Sequence, residues 1–150
     1  MRDHPGVIAP PPLIALGSVA AGWLLGLALP LPLPAWAPWP GFVLAMAGVG
    51  LAVWAERCFK AIGTAAKPWK PTTAIATAGP YRFSRNPMYL GLLAAQIGTG
   101  LVLRQGWIVA LAAATFALLH AGVVRREEAY LSAKFGTAYD DYVARTRRWL

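Results

Sequence analysis

Four stretches of this chain contain no Asp, Glu, Lys or Arg: residues 7–29, 41–55, 88–103 and 107–124. A helix that crosses a bilayer needs roughly 20 mostly apolar residues. The third stretch is short; it either crosses a thin region or is completed by Pro87 and the loop before it. The chain is 57% hydrophobic and 13% charged, against about 45–50% and about 25% in ordinary soluble domains. Such hydropathy excludes intrinsic disorder, and the lone Cys58 excludes a disulfide scaffold. The reading is an all-α integral membrane protein, a single domain over residues 1–150. It has about four transmembrane helices and a C-terminal interfacial amphipathic helix.

The first span opens with Pro10-Pro11-Pro12, in a first turn where missing N–H groups matter least. A cleaved leader is the competing reading of this span. The weak n-region, Arg2 beside Asp3, and the long apolar run argue against it.

Charge fixes the expected orientation. The net charge is +8, from 14 basic and 6 acidic residues. The linker over residues 30–40 has no charge, and Arg104 is alone between the last two spans. Arg57, Lys60, Lys67, Lys70, Arg82 and Arg85 fall between spans two and three. Arg125, Arg126, Lys134, Arg145, Arg147 and Arg148 follow span four. The positive-inside rule therefore places both termini and segments 56–87 and 125–150 in the cytoplasm. Trp36, Trp39 and Trp107 suit the outer interface, and Trp69, Tyr81 and Trp149 the inner one. Basic residues that flank lipid spans point to membrane lipids as partners, not nucleic acid.

The polar residues collect in the two cytoplasmic segments. The first holds a Pro-punctuated loop, Lys67-Pro68-Trp69-Lys70-Pro71, followed by Gly79-Pro80-Tyr81-Arg82-Phe83-Ser84-Arg85-Asn86-Pro87-Met88-Tyr89-Leu90-Gly91. Asn86 before Pro87 is biased away from helix and is placed to cap the third span. Arg82 and Arg85 then stand at a helix N-terminus and together make an anion site. Snorkelling toward lipid headgroups explains the same two arginines equally well. The second segment opens Arg125-Arg126-Glu127-Glu128. One glutamate is placed to pair with Arg125 or Arg126, and the other to face inward and bind a cation. Tyr130, Leu131, Phe135, Tyr139, Tyr142 and Val143 recur at spacings of mostly three or four, with a break at Gly136. That pattern is an amphipathic helix, read here mainly as a membrane-surface anchor.

Metal and nucleophile motifs are nearly absent. His4 and His120 are far apart, and no paired His or Cys spacing supports a metal site. Cys58 reads as an inert thiol. His120 is ionisable within a span, a functional candidate by default, but a hydrogen bond to a neighbouring helix is the preferred reading.

The Gly79–Gly91 run, with Arg126-Glu127-Glu128 and then Leu131, Phe135-Gly136, Tyr139 and Tyr142, resembles a two-part membrane signature. It is the signature of the isoprenylcysteine carboxyl methyltransferase-like and phospholipid methyltransferase-like enzymes. The resemblance covers roughly residues 41–150. It implies S-adenosylmethionine as cofactor, no metal, and a site at the cytoplasmic membrane surface. It also implies that Gly79, Tyr81, Arg82, Arg85, Asn86, Pro87, Tyr89, Leu90, Gly91, Glu127 and Glu128 bind the cofactor. Arg85, Asn86 and Glu128 are the implied catalytic set. Gly48-Val49-Gly50 resembles a weaker glycine pair of the phospholipid enzymes, although the same pattern serves ordinary helix packing.

The cofactor's ammonium suits the glutamates and its carboxylate suits Arg82 or Arg85. In-line methyl transfer needs alignment of two reactants and no covalent enzyme intermediate. Carboxyl methyltransferases usually show His-Pro where this chain has Asn86-Pro87, and the Asn-Pro-Met-Tyr variant looks more like the phospholipid branch. Asparagine donates and accepts hydrogen bonds but is no base near neutral pH. The implied activity is methyl transfer to a lipid or small apolar acceptor, an amine, carboxylate or thiol, in the inner membrane of a bacterium. Two other readings stand beside it: an NADPH-dependent membrane reductase of similar architecture, and a non-catalytic lipid-binding or partner module.

Overall fold

A computed structural model describes residues 5–64 and 72–150. Arg2, Asp3 and His4, and the loop with Lys67, Trp69 and Lys70, lie outside the described residues. The described chain is helical, with two isolated β-bridges, Pro32 with Gln105 and Ser84 with Arg147. The main helices are α1 (Pro11–Ala28), α2 (Pro38–Ala61) and α3 (Pro87–Val102). A fourth helical span then runs through Gly106–Phe135. It comprises α4 (Gly106–Ala110), α5 (Ala112–Leu119), a π turn (His120–Val124) and α6 (Arg125–Phe135). The last helix is α7 (Thr137–Arg145).

α1, α2 and Gly106–Phe135 are long and apolar enough to cross a membrane, and α3 is a shorter apolar helix. At about 1.5 Å per residue, the 16 residues of α3 reach about 24 Å, short of the ~30 Å hydrocarbon core. The fourth helix has 30 residues, more than a bilayer needs, so its last turns in α6 pass beyond the membrane surface. Outward-facing side chains such as Leu16, Leu24, Phe42, Val43 and Met46 are exposed, as lipid-facing residues are.

α2 extends past the predicted 41–55 because its charged final turns remain helical, with Lys60 paired to Glu56 at 2.9 Å. α2 and α3 form a hairpin held by small residues. A Cβ added at Gly48 would lie 2.5 Å from the Ala95 nitrogen, and one at Gly91 would lie 2.6 Å from the Gly48 carbonyl oxygen. Gly50 faces open space. Close helix approach therefore accounts for Gly48 of the Gly48-Val49-Gly50 pattern and not for Gly50.

At the end opposite the basic segments, the two linkers tie together. Gly106 donates to the Leu31 carbonyl at 2.9 Å, Arg104 Nε to the Leu33 carbonyl at 2.9 Å, and Trp107 Nε1 to the Leu29 carbonyl at 2.7 Å. Trp36 and Trp39 stand exposed on this end.

The fourth helix is interrupted twice. Near Leu111, Gln96 Nε2 donates to the Ile108 carbonyl at 3.2 Å, and Thr115 Oγ1 donates back to the Leu111 carbonyl at 3.1 Å. Such insertions and back-bonds bend a helix. The π turn at His120–Val124 adds one residue to a single turn. It rotates everything that follows by about 100°, a residue's share of a turn. Beneath it lies the main core, built from Tyr89, Leu93, Leu119, Val123 and Val124.

Candidate active site

Two chain segments converge at the basic end. In the first, Gly79 has φ +60°, a conformation glycine adopts freely, and opens a single 3-10 turn over Gly79–Arg82. This turn buries Tyr81, whose ring stands edge-on to Phe59 with centroids 5.2 Å apart. Its carbonyl accepts a 2.8 Å hydrogen bond from the Tyr142 hydroxyl.

Asn86 sits at the N-cap of α3, but its side chain makes no cap bond, contrary to the sequence expectation. Its Nδ2 instead donates to the Arg148 carbonyl at 2.9 Å, and its backbone N–H to Ser84 Oγ at 3.1 Å. The chain's C-terminal residues return alongside Ser84 and supply this competing acceptor. Arg85 turns inward. Its Nη1 donates to the carbonyls of Val143 and Thr146 at 3.1 and 3.0 Å, and its Nη2 to Glu128 Oε1 at 3.0 Å. Its Nε is buried without a hydrogen-bond partner. Arg82 is exposed, so it does not join Arg85 in the expected anion pair.

The second segment is α6. Neither glutamate pairs with Arg125 or Arg126; Arg126 donates to the Gly6 carbonyl at 2.7 Å. The rotation at the π turn brings the glutamates to face α3 and the C-terminal residues. Glu128 receives Arg85 at Oε1 and Arg148 at both oxygens, with Nε–Oε1 at 3.0 Å and Nη2–Oε2 at 2.8 Å. Glu127 Oε1 accepts the Tyr89 hydroxyl at 2.7 Å. Among the described residues Glu127 has no salt bridge. Burial pushes its carboxyl up to about 7; the Tyr89 hydrogen bond pulls down and Glu128 pushes up. Burial pushes the Tyr142 phenol up to about 12, with Arg85 pulling the other way. Burial and Glu128 raise the Tyr139 phenol.

Tyr81, Arg85, Asn86, Tyr89, Glu127 and Glu128 line one half-open cavity. Its volume is about 90 Å³, within about 650 Å³ of empty space that includes open solvent at the mouth. Gly79, Arg82, Pro87, Leu90 and Gly91 do not line it. Gly91 packs on α2, and Pro87 is buried at the first turn of α3.

Phe59, Met88, Tyr130, Leu131 and Tyr139 complete much of the wall. The helical spacing of Tyr130, Leu131 and Tyr139 was visible in sequence, but that pattern reads as a surface anchor. Tyr139 and Tyr142 are in fact buried. Gly136, at φ 52°, breaks the helix and folds α7 back. His120 Nδ1 accepts the Trp149 indole N–H at 3.3 Å, and Phe116 packs on Trp149 with ring centroids 4.8 Å apart. The histidine's partner is thus the C-terminal segment, not another spanning helix.

A carboxylate with no salt bridge among the described residues, sharing a cavity with tyrosine rings and an arginine with an unpartnered N–H, is equipped to bind a cationic group next to an anionic one. The nickel-cobalt-cadmium resistance protein NccN of Alcaligenes xylosoxydans xylosoxydans is 34% identical over 77 residues, 51% of this chain and 36% of that protein. The cobalt-zinc-cadmium resistance protein CzcN of Cupriavidus metallidurans is 30% identical over 77 residues, 51% of this chain and 35% of that protein. The match therefore spans about a third of each relative's length. No solved structure matches the chain. The phospholipid methyltransferase family matches residues 36–138, more than two thirds of the chain, from the start of α2 through both halves of the cavity wall. The chain belongs to the phospholipid methyltransferase family, a family of membrane methyltransferases.

Proposed function

We propose that the chain is an S-adenosylmethionine-dependent methyltransferase. It acts on a lipid or small apolar acceptor, an amine, carboxylate or thiol, at the cytoplasmic surface of a bacterial inner membrane. The observation that carries this reading is Glu127: a carboxylate with no salt bridge among the described residues, lining a cavity between Tyr81 and Tyr89. The donor set fits the cofactor. Glu127 accepts from the ammonium, and Arg85 with Asn86 lies at the same wall to meet the carboxylate. The 90 Å³ cavity is smaller than the roughly 300–1,000 Å³ of ligand pockets, so a nucleoside-sized molecule would also fill the mouth.

When bound, S-adenosylmethionine supplies an electrophilic methyl group on a sulfonium. The protein's own contribution is to bind and orient: Arg85, Asn86 and Glu128 form a hydrogen-bonded wall, and the aromatic rings exclude water. The acceptor enters from the bilayer side, and the basic segments keep both termini in the cytoplasm.

The test is titration of the detergent-purified protein with S-adenosylhomocysteine by calorimetry. Saturable one-site binding is expected. Glu128→Gln should weaken it by up to about 1.5–3 kcal/mol, the worth of a charge-assisted hydrogen bond. A folded protein that ignores S-adenosylhomocysteine but binds NADPH would favour the reductase reading. One that binds neither would favour a non-catalytic module.

A further inference from the structure

Arg85, Asn86 and Glu128 share one feature: each is held by the last residues of the chain. We propose that residues 146–149 form a strap that is a working part of the cofactor site, and that Arg148 is its positioning residue. This inference rests on the cofactor reading above.

The strap begins where α7 ends. Arg85 donates its backbone N–H to the Arg147 carbonyl at 2.8 Å, beside the parallel bridge of Ser84 with Arg147. The Thr146 carbonyl takes Arg85 Nη1, and the Arg148 carbonyl takes Asn86 Nδ2. A guanidinium has five N–H donors in a fixed fork, and these acceptors decide which of them are spent. Nε makes no hydrogen bond and is buried, on a side chain only 9% exposed that lines the cavity.

Arg148 grips Glu128 with two parallel bonds, the bidentate geometry that fixes orientation as well as charge. Its side chain is 43% exposed and does not line the cavity. It therefore acts on a ligand through Glu128. The strap's far end is pinned where the Trp149 indole N–H meets His120 at the π turn. It thus joins the segment before α3, which carries Arg85, to α6, which carries Glu127 and Glu128, and to the π turn that precedes α6. The family match covers residues 36–138, and the strap lies outside that region.

The experiment uses the full chain in detergent, titrated with S-adenosylhomocysteine by calorimetry, with a melting curve for every variant. Arg148→Gln should weaken binding roughly three- to tenfold, as expected for a half-exposed bidentate pair. Arg148→Lys should recover part of this, since an ammonium keeps the charge but not the fork. The double variant Arg148→Gln/Glu128→Gln should bind no more weakly than Glu128→Gln alone, because both act through one carboxylate. A strap that merely closes the fold gives additive losses and no rescue, which overturns the proposal. Unchanged or tighter binding in folded Arg148→Gln overturns it as well.

Should Arg148→Gln not fold, Trp149→Phe removes the N–H to His120 while keeping an aromatic ring against Phe116, though a smaller one. Roughly twofold or greater weakening is expected for one lost neutral hydrogen bond transmitted along the strap, and unchanged affinity refutes it. Absence of binding by the wild type removes the cofactor reading and the strap's role together. Wild-type binding with an indifferent strap removes the strap alone.

Discussion

Glu127 gives the sharpest prediction, because its charge state is set by the fold. Burial raises its carboxyl from 4.5 to about 7. A cationic ammonium needs the ionised form. With a midpoint at about 7, the ionised share rises from about 10% at pH 6 to about 75% at pH 7.5. S-adenosylhomocysteine affinity should therefore rise up to about eightfold over that interval, and near pH 6 binding should release close to one proton. Calorimetry in two buffers of different ionisation enthalpy reads both quantities. Glu127→Gln should flatten the profile and abolish proton release.

The same group affects stability with the opposite sign. A carboxyl that is protonated in the fold up to about 7, but only to 4.5 in the unfolded chain, makes the folded state lose stability as pH rises through that window. Near 1.4 kcal/mol per unit, the full effect is about 3 kcal/mol. Equal affinity at pH 6 and 7.5 with no proton exchange would refute the assignment of Glu127 as the cation's partner. An unchanged slope in Glu127→Gln would move the titration to another group.

Tyr89→Phe removes the hydrogen bond that holds the Glu127 carboxyl down; the affinity midpoint should move to higher pH, measured by the same titration. Arg85→Ala should weaken S-adenosylhomocysteine binding at least tenfold, the loss of a buried charge-assisted group at about 1.5–3 kcal/mol. Arg82→Ala and Arg147→Ala should change it less than about twofold, because exposed charges contribute little. Gly48→Val places a side chain on the Ala95 backbone, only 2.5 Å from the Cβ position; it should lower the melting temperature sharply or prevent folding, read by size-exclusion and melting in detergent.

The sequence by itself determined the membrane-helix architecture, because hydropathy and the absence of charge are local properties of the chain. It also marked Tyr81, Arg85, Asn86, Tyr89, Glu127 and Glu128, which the structure gathers at one cavity. Their clustering in two short runs beside membrane spans is a one-dimensional signal. Tertiary structure decided what those residues do. Helical spacing assigned Tyr139 and Tyr142 to the membrane surface, whereas the positive φ of Gly136 turns α7 inward and buries them. Charge order paired a glutamate with Arg125 or Arg126, whereas the π turn rotates both glutamates toward α3 and the C-terminal strap. No local pattern announces a π turn in an apolar run, or a carbonyl 62 residues away that draws Asn86 from its capping role. Which glutamate is matched by arginines, and which has no salt bridge among the described residues, follows from these long-range pairings, and only the folded chain forms them.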